Sequence, residues 1–327
     1  MEETIPTDPS LTYMNTTYPK PEEYNYIWCK IPRYGILIIG CVYTCICVCG
    51  LVGNAAVLWL LGFRMKRNPF TVYVLNLAVA DCSLLLILLA KFTLYFIEWV
   101  YCTDSMEFGL ANAILFIMFL FCYVAGMYLL TAMSVERCLA ALFPVWYRCH
   151  RSKHCSAIMC GLLWTLAVLF VSSVFIPYAL GTWNYHILSI FSIVNIALFA
   201  SIPFLSNLVL FIKLQCGSKR RHPGKLYIAV LLSVLFLVVL GIPFSLEILN
   251  SFYHLQEFYY SRERFVSFLL ASLNSSINPL LYFLVGSCQH CQIQCSIRVA
   301  FRRLFEEGAT SEERRQVPGD GVMETSV

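Results

Sequence analysis

The chain has 327 residues, 59% of them hydrophobic and 13% charged, with a formal net charge of +4 and a mean hydropathy of +0.70. A water-soluble domain carries about 25% charged residues, so this composition excludes an ordinary soluble enzyme or binding module. The small positive charge needs no nucleic acid partner to account for it.

Residues 1–33 are rich in Pro, Tyr and acids and hold no early apolar core. They do not read as a signal peptide and are expected to form an outer tail. Asn15-Thr16-Thr17 is a glycosylation sequon within it. Seven apolar runs follow, at about 35–63, 70–97, 108–136, 157–181, 186–212, 226–252 and 265–284. Roughly 20 residues at 1.5 Å each cross the hydrocarbon core, so each run is a candidate membrane helix. The first would serve as the uncleaved membrane signal. The chain therefore reads as an all-α membrane protein, a seven-helix bundle over residues 34–285. Only a few polar residues near Asn184 separate the fourth and fifth runs.

Orientation follows from Lys and Arg in the loops. Arg64, Lys66, Arg67, Arg148, Arg151, Lys153, Lys213, Lys219, Arg220, Arg221 and Lys225 fall on one side; the other side's loops hold only Arg262 and Arg264. The first side is expected to be cytoplasmic, with the N-terminus extracellular and the protein in the plasma membrane.

Most of the 16 cysteines, among them Cys41, Cys45, Cys47, Cys49, Cys82, Cys122 and Cys160, lie inside the runs, where Cys acts as a small hydrophobe. Only Cys29 and Cys102 lie on the expected outer side, where oxidation is possible.

Three runs carry deep polar groups: Asn54 in the first, Asp81 in the second and Asn278 in the seventh. A carboxylate at mid-membrane costs roughly 2.5–3.5 kcal/mol, so Asp81 must face other polar groups. Asn54, Asn274, Ser275 and Asn278 are the available partners, and Pro279 frees a backbone carbonyl nearby. The set reads either as polar glue between helices or as a hydrated switch. The third run ends on Glu136-Arg137, an acid–arginine pair at a membrane boundary, which marks a surface where something docks or is switched.

Residues 286–305 form an amphipathic segment that would lie in the membrane interface, against lipid headgroups. Its Cys288, Cys291 and Cys295 are palmitoylation candidates; a zinc site with His290 is the rival reading, but a fourth ligand is hard to name. Residues 306–327 read as a disordered tail. Its end, Thr325-Ser326-Val327, fits capture by a PDZ-domain protein. No Gly-rich phosphate loop, HExxH or GxSxG occurs, so no enzyme is expected. No internal repeat is evident, which weighs against a transporter or channel, the alternative reading.

Over about residues 34–305 the chain resembles the rhodopsin-like (class A) G-protein-coupled receptors. The motifs are Gly53-Asn54, Leu77-Ala78-Val79-Ala80-Asp81, Glu136-Arg137-Cys138, Trp164, Pro203, Pro243 and Asn278-Pro279-Leu280-Leu281-Tyr282, in that order. Residues 136–151, with Lys66-Arg67-Asn68-Pro69-Phe70, Lys225-Leu226-Tyr227 and Asn274-Ser275-Ser276, resemble the Mas-related receptors.

The resemblance implies a receptor that activates a heterotrimeric G protein, of the Gq and/or Gi class, on binding an extracellular ligand. Arg137 would face the G protein, restrained by Glu136 at rest; Pro279, Tyr282 and Asn278 would move on activation. It implies no cofactor beyond a sodium ion in the region of Asp81, Asn54, Asn274, Ser275 and Asn278.

Departures from the superfamily pattern matter as much. Asn112 stands where a bridging Cys is usual, and residues 161–215 contain no Cys. Cys29 and Cys102 are the pair left to bridge the outer face. Gly126 replaces a sodium-site serine, Gly241 the aromatic switch of the sixth run, and Pro223 the usual acidic partner of Arg137. Raised resting signalling is therefore expected. Phe119 stands where amine receptors carry an Asp, so a biogenic amine is not the expected ligand. The candidate pocket is Lys91, Glu98, Asp104, Phe119, Tyr178, Trp183, Gly241 and Glu247, for a peptide or a small cationic or amphiphilic molecule. Lys91 and Glu247 read either as a ligand clamp or as a structural ion pair.

Overall fold

A computed structural model describes residues 34–64, 68–101, 106–149, 152, 154–180, 185–216, 225–241 and 263–287. Among these residues the regular elements are helices alone. Helix α1 spans Tyr34–Trp59 and ends in a π-helical turn, Leu60–Arg64. Then come α2 (Pro69–Tyr101), α3 (Met106–Leu142), a short α4 (Pro144–Cys149), α5 (Cys155–Ala179) and α6 (Tyr185–Cys216). Helix α7 (Lys225–Phe236) runs into a second π turn, Leu237–Gly241, and α8 spans Glu263–Ser287. Among the described residues six helices are long and apolar enough to cross a membrane. The apolar stretch in α7, Ile228–Leu240, is shorter, and the remainder of that run lies outside the described residues. Continuous apolar helices are what a bilayer demands, because each backbone group must find its partner within the segment.

Local chemistry sets the helix ends. At the start of α2, Thr71 N donates to Asn68 Oδ1 at 2.7 Å and Asn68 N donates to Thr71 Oγ1 at 2.9 Å. This is a reciprocal cap, with Pro69 in the first helical position, where its missing N–H costs nothing. Helix α3 outruns its apolar pattern by six residues, reaching Leu142 rather than about 136. It stops only where Phe143 precedes Pro144, since a residue before proline is disfavoured in the α conformation. Lys213 on α6 closes that end, donating to the carbonyls of Ala141 at 2.7 Å and Leu142 at 3.1 Å. A cation at a helix C-terminus also meets the negative end of the helix dipole.

Helix α3 is the centre of the bundle, packed against α2, α5, α6 and α7, while α8 packs against α1, α2 and α7. Phe119, Tyr128, Leu129, Leu130 and Met133 of α3 are fully buried. Helices α5 and α6 turn apolar faces outward, including Leu162, Leu169, Phe204 and Phe211, as lipid-facing helices do. Two prolines leave carbonyls for neighbouring helices to satisfy, because a proline cannot donate to the residue four before it. Pro203 frees the carbonyl of Phe199, and the Thr131 hydroxyl of α3 lies 3.2 Å from it. Pro279 frees the carbonyl of Ser275, and Asn54 Nδ2 of α1 donates to it at 3.1 Å.

Candidate functional site

The polar groups expected at mid-membrane come together. Asp81 on α2 is only 4% exposed. Asn278 on α8 donates to its Oδ2 at 2.9 Å, and the Ser275 side chain also hydrogen-bonds it. Asn54 joins from α1, bonding Gly50 O at 3.0 Å as well as Ser275 O. Helices α1 and α8 can meet this closely because Gly50 has no side chain: a Cβ there would stand 2.1 Å from Ser276 Oγ. Asn274 is buried, and its Oδ1 has no hydrogen-bond partner among the described residues. Tyr282, one turn beyond Asn278, is buried too. Asp81, Ser275 and Asn274 offer hard oxygen donors of the kind a sodium ion takes. Gly126, which has Leu77 Cδ1 as its nearest neighbour at 3.8 Å, offers none.

A second cluster lies at the end of the bundle that carries most of the loop Lys and Arg. Glu136 is 8% exposed, one and a half turns before α3 ends. Tyr147 of α4 donates its hydroxyl to Glu136 Oε1 at 2.6 Å. Tyr73 of α2 lies within hydrogen-bonding reach of both Glu136 and Ser156. Arg137 has its Cζ 3.8 Å from the centre of the Phe70 ring, in the first turn of α2. The pair is thus not simply an exit from the membrane: the acid is held by phenols and the base lies on an aromatic face.

At the opposite end, Lys91 donates to Asn112 Oδ1 and lies 3.4 Å from Asn112 O. Its ammonium sits 5.7 Å from the Phe116 ring centre and 5.6 Å from that of Phe268. Phe119 is fully buried beneath, edge-on to Phe268 at 5.2 Å and stacked with Tyr123 at 6.2 Å. Lys91 and Phe119 of the candidate pocket therefore meet around one aromatic floor. Glu98 is half-buried two turns further along α2, and Gly241 closes the π turn after α7. Tyr178 falls within α5. Asp104, Trp183 and Glu247 lie outside the described residues. So do Asn15, Cys29, Cys102, Cys288, Cys291, Cys295 and Thr325-Ser326-Val327. Cys41, Cys45, Cys47, Cys49, Cys82, Cys122 and Cys160 are free thiols, as their apolar settings predict.

Several partners were not singled out from the sequence as functional. Phe70 and Tyr147 stood within the family-like stretches, but only as matching letters. Asn76 accepts from Trp164 Nε1 at 3.0 Å and links α2 to α5. Tyr128 donates to Asn195 Oδ1 at 2.5 Å and links α3 to α6. A buried Tyr or Trp needs a partner for its polar atom, the one signal by which the sequence could have announced both.

Residues 53–282 match the model of the 7 transmembrane receptor (rhodopsin family). The chain is 34% identical to the Proto-oncogene Mas of Mus musculus over 282 residues, covering 83% of this chain and 85% of the relative. It is 37% identical to Mas-related G-protein coupled receptor member D of Rattus norvegicus over 294 residues, 84% and 89% of the two chains. With Mas-related G-protein coupled receptor member X1 of Homo sapiens the identity is 34% over 328 residues, 98% of each chain.

Proposed function

Because the chain belongs to the rhodopsin family of seven-transmembrane receptors, on its Mas-related branch, we propose that it couples binding of a peptide or small cationic or amphiphilic ligand to a G protein of the Gq and/or Gi class. It is a G-protein-coupled receptor, a multi-pass protein of the plasma membrane, and not an enzyme. The ligand enters at the end that carries Lys91 and Phe119, and the G protein docks at the end that carries Arg137. The loop charges support this orientation, with the N-terminus outside.

One observation carries the mechanism. Arg137 lies at the basic end of α3, and both it and Glu136 are held by side chains of other elements. Those elements can separate from α3 without breaking a helix. A ligand that binds better to the separated state shifts the population toward it, releasing Arg137 toward the G protein. The Asp81–Asn278 contact joins α2 to α8 between the two ends and is where the shift crosses the bilayer. Sodium would bind there, held by Asp81, Ser275 and Asn274. Palmitoylation at Cys288, Cys291 and Cys295, glycosylation at Asn15, a Cys29–Cys102 bridge and a PDZ partner at Val327 belong to the same reading.

The test is nucleotide exchange on purified Gq, Gi and Gs heterotrimers in membranes containing the full chain. Exchange above receptor-free membranes on Gq or Gi, lost in Arg137→Ala at equal surface level, is the expected result. Exchange on Gs alone, or on none, would overturn the coupling assignment.

A further inference from the structure

The sequence leaves Arg137 without the acidic partner that the superfamily usually carries at the foot of the sixth span, since Pro223 stands at that place. The structure puts a different group against it. The Phe70 ring lies 3.8 Å from the guanidinium carbon, and the ring is 3% exposed. An arginine over an aromatic face is attracted by the ring's quadrupole, and the attraction grows when water is excluded. Arg137 Nε is itself buried there.

Phe70 is not a loose neighbour. It is the second residue of α2, directly after Pro69, and the reciprocal Asn68–Thr71 cap fixes where that helix begins. The ring is therefore presented from a rigid start, not from a connecting loop. Meanwhile Glu136 accepts from Tyr147 and is within reach of Tyr73. Its charge is shared with phenols and is not reserved for Arg137.

We infer that Phe70 is the positioning residue that holds Arg137 at rest, an aromatic restraint on α2 in the role that most of the superfamily gives to an acid at the foot of the sixth span. This rests on the reading of Arg137 as the G-protein-facing group. Resting exchange is then sensitive to the electron density of one ring, through its cation–π contact with Arg137. The missing acid at Pro223 does not leave the arginine loose.

The experiment replaces Phe70 in the full receptor by mono-, di- and trifluorophenylalanine. These keep the ring's shape and withdraw its negative face stepwise. Two quantities are read. One is resting nucleotide exchange on the Gq, Gi and Gs panel. The other is amide hydrogen exchange of α7 residues Lys225–Phe236 in purified receptor without G protein. Both should rise with each fluorine, reaching about three- to fivefold for the trifluoro ring and for Phe70→Leu, at unchanged surface level. A flat fluorine series overturns the proposal, even if Phe70→Leu rises, because that pattern reports packing alone. If α7 exchange rises along the series while no G protein responds, the restraint stands and the coupling reading fails. If wild-type exchange is present and lost in Arg137→Ala but the series is flat, the coupling stands and Phe70 does not hold the arginine.

Discussion

Lys91 on α2 donates to Asn112 on α3 at the place where most rhodopsin-like receptors carry a disulfide cysteine. Helices α2 and α3 are joined here by a charged hydrogen bond, at a position with no cysteine in residues 161–215 to bridge to. The same lysine lies among Phe116 and Phe268, so the strut also forms one wall of the candidate pocket.

Asn112→Ala removes the acceptor side chain and leaves an ammonium in a half-buried site. Hydrogen bonds to charged groups contribute about 1.5–3 kcal/mol. Thermal unfolding of the purified receptor should show a loss of that size. Asn112→Asp restores an acceptor and should recover most of it. Asn112→Cys should behave like Asn112→Ala, because residues 161–215 offer no cysteine to bridge to. Unchanged unfolding in Asn112→Ala would remove the strut from the account.

Tyr147→Phe deletes one hydroxyl, the donor to Glu136 Oε1 at 2.6 Å. Glu136 is then freer to turn to its neighbour Arg137 and strengthen the hold on it. Resting nucleotide exchange should fall, roughly three- to tenfold. The opposite sign is expected for Phe70→Leu. The same sign in both variants would contradict the division of Glu136 and Arg137 between different partners.

Asp81→Asn keeps the shape of the side chain and removes its charge. If sodium is held by Asp81, Ser275 and Asn274, exchanging choline for sodium at constant ionic strength lowers resting exchange in the wild type, by about fivefold. The variant should show no such dependence. A wild type indifferent to the cation would end the sodium proposal and leave Asp81–Asn278 as a helix contact only.

Gly50→Ala places a methyl 2.1 Å from Ser276 Oγ and 2.8 Å from both Ser276 Cβ and Leu85 Cδ1. Helices α1 and α8 must move apart, and overpacking of this kind costs about 1–3 kcal/mol. Gly161→Ala on α5 is the control, since nothing lies within 4 Å of its Cβ and Ala favours the helix. The first should lower the unfolding temperature of purified receptor and the second should not. Equal behaviour of the two would refute the close α1–α8 packing.

Hydropathy made the helices legible, and Asp81, Asn54 and Asn278 identified themselves by their cost in lipid. The true end of α3 was hidden for the same reason. Glu136 and Arg137 depress the apolar signal, yet a helix is defined by backbone bonds and runs on until Pro144 forbids it. What stayed out of reach was pairing across the bundle. Nothing near Arg137 in sequence points to Phe70, and nothing near Lys91 points to Asn112. Both meetings depend on how α2 lies along α3, which is settled by interior packing between helices and not by any local pattern. The proline-freed carbonyls were an intermediate case: the chain shows which oxygen loses its donor, but not that Asn54 and Thr131 would be the ones to supply it.

The mutual cap of Asn68 and Thr71 has a consequence for how this receptor can vary. Helix α2 starts where its own first turn says it starts. Residues added or removed ahead of Asn68 would therefore change the length of the connection from α1 without rotating Phe70 away from α3. The first loop is a place where the chain can drift, or be engineered to carry a tag, while the resting hold on Arg137 keeps its register.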